Sequence, residues 1–181
     1  MAQIISENQK SDDIKFLKSI IRDIPNFPKR GILFRDITPI LQDPIALNII
    51  DEHLKELAKT YVGVTAIVAI ESRGFIFGTM LARIMNLPLI LIRKKDKLPY
   101  LTHVSWANSE YSDSQLEIHI DSLSNKDIVV IVDDVFALGG TFKAARHLCE
   151  KTGARIKDCW SLIDLNINEN LKFKVTSLIK Y

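Results

Sequence analysis

Hydrophobic residues near the start of the chain recur at the spacing of an amphipathic helix. The recurring residues are Ile14, Leu17, Ile20, Ile21 and Ile24, and the interval predicts one apolar helix face. Ser11 is the predicted N-cap of this helix. The prolines and glycine of "IPNFPKRG" interrupt the pattern. Residues 44–60 repeat it and predict a second helix.

Further along, short apolar runs alternate with helical patterns. The runs predicted as buried strands are "TAIVAI" (65–70), "PLILIR" (88–93), "IVVIV" (128–132) and "DCWSLIDL" (158–165). "GFIFGTMLARIMN" and the segment from Thr141 to about Gly153 are predicted helices. This alternation is typical of a parallel sheet covered by helices. The sequence therefore predicts one α/β domain over residues 1–181, with a mainly parallel twisted sheet flanked by helices.

Residues 97–120 follow a different pattern. They mix lysine, proline, tyrosine, tryptophan, serine and glutamate without a helical period, and then alternate in "LEIHI". A mobile loop or a hairpin fits this pattern, and long irregular insertions in compact domains often act as lids. Residues of about 95–120 are therefore a candidate lid loop or hairpin.

Composition and charge exclude several classes of protein. Apolar residues make up 47% and charged residues 25%, which is typical of soluble globular proteins. A net charge of +2 is too small to indicate a nucleic-acid or membrane-surface partner. The start of the chain does not resemble a signal peptide, so we expect a cytoplasmic location. The two cysteines and four histidines lack metal-ligand spacing, and the histidines are predicted to be surface residues.

The stretch "IVVIVDDVFALGGT" (128–141) carries the clearest chemical signal. We expect the strand to end at Asp133 and Asp134, facing solvent or a ligand, because buried unpaired carboxylates are costly. Glycines let the backbone approach an anion, and a helix N-terminus favours phosphate. The alternative is a tight turn in which the aspartates only cap the helix. The patterns of a Walker A loop and of a dinucleotide-binding loop are absent.

This stretch resembles the phosphoribosyl-diphosphate (PRPP) motif of type I phosphoribosyltransferases. Within that family, "IPNFPKRGILFRDITPILQDP" (24–44), "ESRGFIFG" (71–78), "LIRKKDKLP" (91–99) and "EYSDSQLEIH" (110–119) resemble the adenine phosphoribosyltransferases in order and spacing. The similarity extends over most of the chain from about residue 14.

The resemblance implies a role for each matching residue. The backbone of Leu33, Phe34 and Arg35 would recognise adenine, with Phe34 stacked on the base, so that about residues 1–40 hold the N-terminal helix and the adenine-binding segment. Arg73, Arg93, Lys94 and Lys97 would bind diphosphate, and Glu110 on the lid would be catalytic. Asp133 and Asp134 would bind the ribose hydroxyls. The ribose 5-phosphate would bind Ala137, Leu138, Gly139, Gly140 and Thr141.

The resemblance also implies the reaction and its requirements. Adenine and PRPP would give AMP and diphosphate in purine salvage, without a covalent protein intermediate. Mg²⁺ would be the cofactor, bound mainly by substrate oxygens and through water by Asp133 or Asp134. The family is usually dimeric, so we expect a homodimer whose partners are small-molecule substrates, not nucleic acid or membrane.

Several positions depart from the family pattern. Leu138 replaces a threonine in the phosphate loop, and Asp96 and Ser112 replace glycines. Ala107 stands where an aromatic lid residue is common, and Arg30 replaces a proline. These departures leave an alternative open, a catalytically weak paralogue that binds AMP or PRPP as a sensor or partner subunit. A DNA-binding purine regulator with the same motif would need a further domain before Asp23.

Overall fold

The structure is a computed structural model that describes residues 5–108, 113–167 and 173–181. The chain forms two compact units, Met1–Leu57 and Ala58–Tyr181. The prediction of an α/β fold with a mainly parallel sheet is confirmed by the second unit, where helices pack on a mixed sheet.

The first unit contains a small hairpin and helices of 5 to 15 residues. Its elements are α1 (Glu7–Ile20), β1 (Arg22–Pro25), β2 (Leu33–Asp36), α2 (Thr38–Gln42) and the start of α3 (Pro44–Ala58). The side chain of Ser6, not Ser11, caps α1, because its hydroxyl accepts a hydrogen bond from the backbone N–H of Gln9 at 3.2 Å. The predicted helix start was therefore wrong by about one turn. Ile24, predicted on the helix, lies in β1.

A histidine of the first unit is buried and not on the surface as predicted. Nε2 of His53 lies 2.9 Å from Oδ2 of Asp13, and both side chains are about nine-tenths buried. The amide of Gln9 donates to the other oxygen of Asp13 at 2.7 Å. These contacts join α1 to α3, and the carboxylate satisfies the polar imidazole that burial would otherwise leave without water.

The second unit is built on a seven-stranded sheet in the described part of the chain. Its strands are β3 (Ala66–Ile70), β4 (Leu89–Lys94), β5 (Thr102–Asn108), β6 (Asp113–His119), β7 (Ile128–Phe136), β8 (Arg155–Asp164) and β9 (Thr176–Lys180). They lie in the order β5-β6-β4-β3-β7-β8-β9. The run from β4 to β9 is parallel, whereas β5 and β6 pair antiparallel with each other and β6 with β4. The segment predicted as a lid or hairpin is thus a hairpin at the sheet edge, with residues 109–112 outside the described residues.

Two helices cover the two faces of this sheet. Helix α4 (Gly74–Met85) approaches β3 so closely that a Cβ added at Gly78 would lie 2.5 Å from the Cβ of Ala69. Helix α5 (Gly140–Lys151) packs on the other face, where Phe142 shares a buried cluster with Val68 and Ile70. Residues 68 and 69 point to opposite faces because strand side chains alternate.

Candidate functional site

Three chain segments lie together at the carboxyl ends of the central strands. Strands β4, β3 and β7 are neighbours and run parallel, so the segments that follow them lie at the same end of the sheet. Ligands of open parallel sheets bind at the carboxyl ends of the strands. The segments are residues 71–74, residues 94–98 (hereafter the basic turn) and residues 137–141 (hereafter the phosphate loop).

The acidic pair lies inside a strand, which corrects the prediction that the strand ends there. Strand β7 continues to Phe136 and pairs with β8 through Asp133, Val135 and Phe136. Asp133 and Asp134 are 8% and 5% exposed, so both carboxylates are buried. The prediction was wrong because it assumed that no partner would compensate a buried charge in this strand.

Arg73 is that partner. It immediately precedes α4, and its Nε atom lies 2.8 Å from Oδ2 of Asp134. This contact is an ion pair, but among the described residues Oδ2 accepts no hydrogen bond of good geometry. Oδ1 of Asp133 accepts the backbone N–H of Asp134 at 2.9 Å. A carboxylate oxygen has two lone pairs, so Oδ2 can accept a further donor beside Arg73, such as a sugar hydroxyl.

The segment that carries Arg73 has no room for a side chain at its next residue. A Cβ added at Gly74 would lie 2.8 Å from the carbonyl oxygen of Val132 and 2.9 Å from Oδ1 of Asp133. Glycine at this position thus lets the start of α4 lie directly against the acidic pair.

Burial shifts the titration of both carboxyls. It raises the pKa of Asp133 well above its ordinary value, and the neighbouring charge of Asp134 raises it further. Burial also raises the pKa of Asp134, although the Arg73 guanidinium opposes that shift. Because burial disfavours the charged form of both carboxyls, a bound cation or hydrogen-bond donor would stabilise that form.

The phosphate loop ends at the start of a helix. Gly139 is the N-cap of α5 with φ +83°, a left-handed conformation that glycine adopts at no steric cost. A glycine N-cap has no side chain to satisfy the first N–H groups of α5, and these groups favour an anion. Ala137, Leu138, Gly140 and Thr141 lie in the same turn and are partly exposed. Their role in binding a phosphate stays a prediction of the motif.

Leu138 provides a direct test of the loop. Leu138→Thr is expected to tighten AMP binding roughly tenfold, because it adds one hydroxyl donor to a charged phosphate. Leu138→Val is the matched control, since valine has the shape of threonine without the hydroxyl. Calorimetry of AMP binding to the three proteins measures the effect. Equal affinities of the threonine and valine variants would mean that the residue 138 side chain does not reach the phosphate.

The basic turn presents three exposed lysines. Lys94, Lys95 and Lys97 are exposed, and Asp96 between them has φ +65°. Aspartate tolerates this left-handed conformation better than most residues, which explains how it replaces the glycine of the family pattern. Arg93 is less accessible, because Nε contacts Oε2 of Glu71 at 3.2 Å and Nη1 donates to the carbonyl oxygen of Lys97 at 3.0 Å.

Removal of the negative charge from this turn is expected to favour diphosphate. Asp96→Asn keeps a residue that tolerates the left-handed conformation and should tighten PRPP binding roughly two- to fivefold at low ionic strength, with a smaller gain at high salt. Asp121→Asn, an exposed carboxylate in another turn, is the control. Calorimetry at two salt concentrations measures both variants, and a gain that salt does not reduce would contradict an electrostatic cause.

Sequence reasoning missed two carboxylates that hold the basic turn. Glu71 accepts from Arg93 and from the backbone N–H of Lys94. Glu117, which is 3% exposed on β6, accepts from the backbone N–H groups of Lys97 and Leu98. The available signal was a charged residue between apolar neighbours in "LEIHI", in register with Arg93 across β4 and β6.

The predicted base-recognition segment lies in β2 of the first unit. Leu33, Phe34 and Arg35 pair antiparallel with β1, and residues two apart on a strand present their backbone groups to the same side. The ring of Phe34 meets the ring of Phe27 edge to face, with 5.1 Å between centroids. Arg35 forms an ion pair with Asp23, its cross-strand neighbour. These contacts hold the predicted stacking residue and the strand in place.

The remaining predicted positions have different outcomes. Glu110, the predicted catalytic residue, and Ser112 lie outside the described residues. Ala107 is buried at 3% exposure, whereas its neighbour Trp106 is 59% exposed.

In the described ranges, no group of three or more histidine, cysteine, aspartate or glutamate side chains could hold a metal ion. None of the helices in the described part of the chain has the length and apolar character needed to span a bilayer.

Comparison with known protein families identifies the class of protein to which this chain belongs. A family model described as "Phosphoribosyl transferase domain" matches residues 36–178. This span contains the acidic pair, the phosphate loop and the basic turn, so the fold and the site define a phosphoribosyl transferase domain.

Individual relatives identify the family within this class. The chain is 43% identical over 173 residues to the adenine phosphoribosyltransferase of Petrotoga mobilis, covering 93% of this chain and 99% of that protein. The solved adenine phosphoribosyltransferase of Rhodothermus marinus superposes with a TM-score of 0.83 at 37% identity, over 94% and 99% of the two chains. The solved adenine phosphoribosyltransferase of Saccharomyces cerevisiae superposes with a TM-score of 0.84 at 32% identity, over 93% of this chain and 99% of that one. That structure is a complex with an imino-altritol bisphosphate and adenine. The chain belongs to the adenine phosphoribosyltransferase family, whose members are pentosyltransferases.

The family assignment confirms the resemblance found in the sequence. These relatives carry the name of an enzyme, and they give no support to the alternative of a ligand-sensing paralogue.

Proposed function

We propose that this chain transfers the phosphoribosyl group of PRPP to N9 of adenine and releases diphosphate and AMP, a reaction of purine salvage. The observation that carries the proposal is the buried acidic pair beside Arg73, near the carboxyl end of β7, where a glycine-capped helix begins. This arrangement offers acceptors for sugar hydroxyls and donors for a phosphate. The adenine bound to the yeast relative supports the choice of base.

In this proposal the substrate PRPP binds across the three segments at the carboxyl ends of β3, β4 and β7. The carboxylates of Asp133 and Asp134 accept hydrogen bonds from the ribose 2- and 3-hydroxyls. The backbone N–H groups of residues 137–141 and the hydroxyl of Thr141 bind the 5-phosphate. Arg73, Arg93, Lys94 and Lys97 bind the diphosphate, and Arg73 also holds Asp134.

Adenine is proposed to bind the segment formed by Leu33, Phe34 and Arg35. Leu33 and Arg35 present their backbone groups to one side of β2, and one N–H with one C=O would complement N1 and N6 of the base. Phe34, braced by Phe27, would stack on the ring.

The proposed chemistry is a single displacement at C1 of the ribose. N9 of adenine forms a bond to C1 while the bond from C1 to the diphosphate oxygen breaks, with positive charge on the sugar in the transition state. The proton on N9 leaves to a base, for which we propose Glu110. The lysines of the basic turn and Arg73 stabilise the charge that develops on diphosphate.

Mg²⁺ fits the donors of this site. The buried pair supplies carboxylate oxygens, the ligands that Mg²⁺ prefers, and the ion pair of Oδ2 of Asp134 with Arg73 leaves further lone pairs for the ion or its water. Because so few protein ligands are close together, the ion would be held mostly by substrate oxygens, with Asp133 or Asp134 bound through water. The bound ion would neutralise charge on the diphosphate leaving group.

Quantification of both products tests the proposal. Protein incubated with adenine, PRPP and Mg²⁺ is expected to form AMP and diphosphate in equal amounts, measured by chromatography. Addition of EDTA in excess of Mg²⁺ is expected to stop the reaction, and excess Mg²⁺ to restore it. Absence of AMP with Mg²⁺ present would overturn the proposed function.

We also propose a cytoplasmic homodimer, in line with the family resemblance. Both cysteines, Cys149 and Cys159, are buried free thiols, which suits a reducing compartment. Analytical ultracentrifugation tests the oligomeric state, for which a mass of twice 20.6 kDa is expected.

A further inference from the structure

The basic turn is held from two sides by buried or half-buried carboxylates. Glu117 lies opposite Arg93 in the register of β6 and β4. Its Oε1 accepts the backbone N–H groups of Lys97 at 2.8 Å and Leu98 at 2.7 Å, and its Oε2 accepts the hydroxyl of Thr102 at 3.2 Å. One side chain therefore joins the turn to the hairpin beside it.

Glu117 is charged although it is buried. Burial would raise the pKa of its carboxyl, but hydrogen bonds from the backbone of Leu98, Lys97 and Asp96 outweigh burial and lower it. A carboxylate that accepts several N–H groups fixes the direction of each N–H, and so it fixes the conformation of the turn.

Glu71 holds the other end of the turn. Its Oε2 accepts the backbone N–H of Lys94 at 3.0 Å and contacts Nε of Arg93 at 3.2 Å. Arg93 in turn donates to the carbonyl oxygen of Lys97 at 3.0 Å. The backbone of the turn is thereby bonded at Lys94, Lys97 and Leu98, while its lysine side chains remain exposed.

We propose that Glu117 is a positioning residue for diphosphate recognition, acting through the backbone of the basic turn and with Glu71 as its counterpart. A turn fixed in advance presents its lysine ammonium groups without the entropy cost of ordering the chain when diphosphate binds. This inference rests on the proposed function, because it assigns the turn to the diphosphate of PRPP.

The experiment separates diphosphate binding from nucleotide binding. Glu117→Gln removes the charge and one acceptor with little change of shape. It is expected to weaken binding of PRPP and of free diphosphate with Mg²⁺ at least tenfold, and to leave the affinity for AMP, which carries no diphosphate, within twofold of wild type. Kinetically, the KM for PRPP should rise while the KM for adenine is unchanged. Glu117→Asp, which keeps the charge, should recover part of the PRPP affinity.

Asp127→Asn is the matched control. Asp127 also organises a turn, accepting from the backbone and hydroxyl of Ser124 at 2.8 and 2.9 Å, but it precedes β7 at the opposite end of the sheet. This variant should bind diphosphate as wild type does.

Each outcome decides between the two proposals. If wild type binds neither PRPP nor diphosphate, the proposed function fails. If wild type binds both but Glu117→Gln does not change diphosphate affinity, or weakens AMP binding equally, the positioning role is wrong. Should Glu117→Gln not fold, Glu71→Gln, whose carboxylate holds the turn from its other end, is measured with the same ligands and the same expected loss.

Discussion

Simultaneous replacement of Asp133 and Asp134 by asparagine is expected to weaken PRPP binding roughly 10²- to 10⁴-fold. Two hydrogen bonds to charged groups, at about 1.5–3 kcal/mol each, account for that range. Asparagine keeps the shape of the buried side chains, so the variant should remain folded. Calorimetry with PRPP and Mg²⁺ measures the loss. Asp158→Asn, in the amino-terminal half of β8 with a hydrogen bond from Tyr61, is the control and should bind PRPP normally.

The same variant is expected to be more stable than wild type at neutral pH. Burial raises the pKa of both carboxyls above the ordinary value of 3.8, so the folded protein holds these protons more tightly than the unfolded chain does. The fold therefore loses stability as pH rises above about 4 and the carboxyls ionise. Thermal unfolding should give a higher Tm for the variant at pH 7 and a smaller difference near pH 4. A lower Tm at pH 7 would show that the charges stabilise the fold.

Adenine is expected to be preferred over hypoxanthine by roughly 10⁴-fold in kcat/KM. Hypoxanthine presents a donor at N1 and an acceptor at position 6, which reverses the pattern of adenine. Backbone groups of Leu33 and Arg35 arranged for adenine would then face like groups, and a site with mismatched buried polar groups rejects the wrong base by that order. Steady-state rates with each base at saturating PRPP measure the ratio.

Phe34→Leu separates stacking from hydrogen bonding at the same segment. It should weaken the use of both bases roughly 10- to 100-fold, because stacking contributes about 1–3 kcal/mol per base, while the ratio between bases stays nearly constant. Comparable rates with adenine and hypoxanthine in wild type would contradict backbone recognition at this segment.

The central sheet could be predicted because its signals are local. Strands β3, β4 and β7 are short apolar runs, and helix α4 follows β3 with an apolar face at helical spacing. The ends of these elements were predicted within a few residues, except at the acidic pair. There the strand continues because Arg73, about 60 positions earlier, lies 2.8 Å from Asp134 and offsets part of the cost of burial.

Other features depend on contacts that no local pattern contains. His53 was expected on the surface, yet Asp13, 40 positions away, binds it in the interior. Strand β9 was not predicted, although residues 173–181 alternate in the manner of a strand, and it pairs with β8. The candidate site could nevertheless be predicted, because a sugar phosphate needs carboxylates, glycines and a helix start, which lie close together in the sequence. Glu117 was missed because its hydrogen bonds go to the backbone of a turn twenty positions away.

The most direct measurement is the initial rate of AMP formation by wild type and by the asparagine variant of the acidic pair, in the same buffer with Mg²⁺, PRPP and adenine. We expect a wild-type kcat/KM in the enzymatic range of about 10⁴–10⁸ M⁻¹s⁻¹, and a rate for the variant at least roughly 10²-fold lower at PRPP concentrations below KM. A wild-type protein that forms no AMP, or a folded variant that forms it at the wild-type rate, would contradict the proposed reaction and the proposed role of the acidic pair.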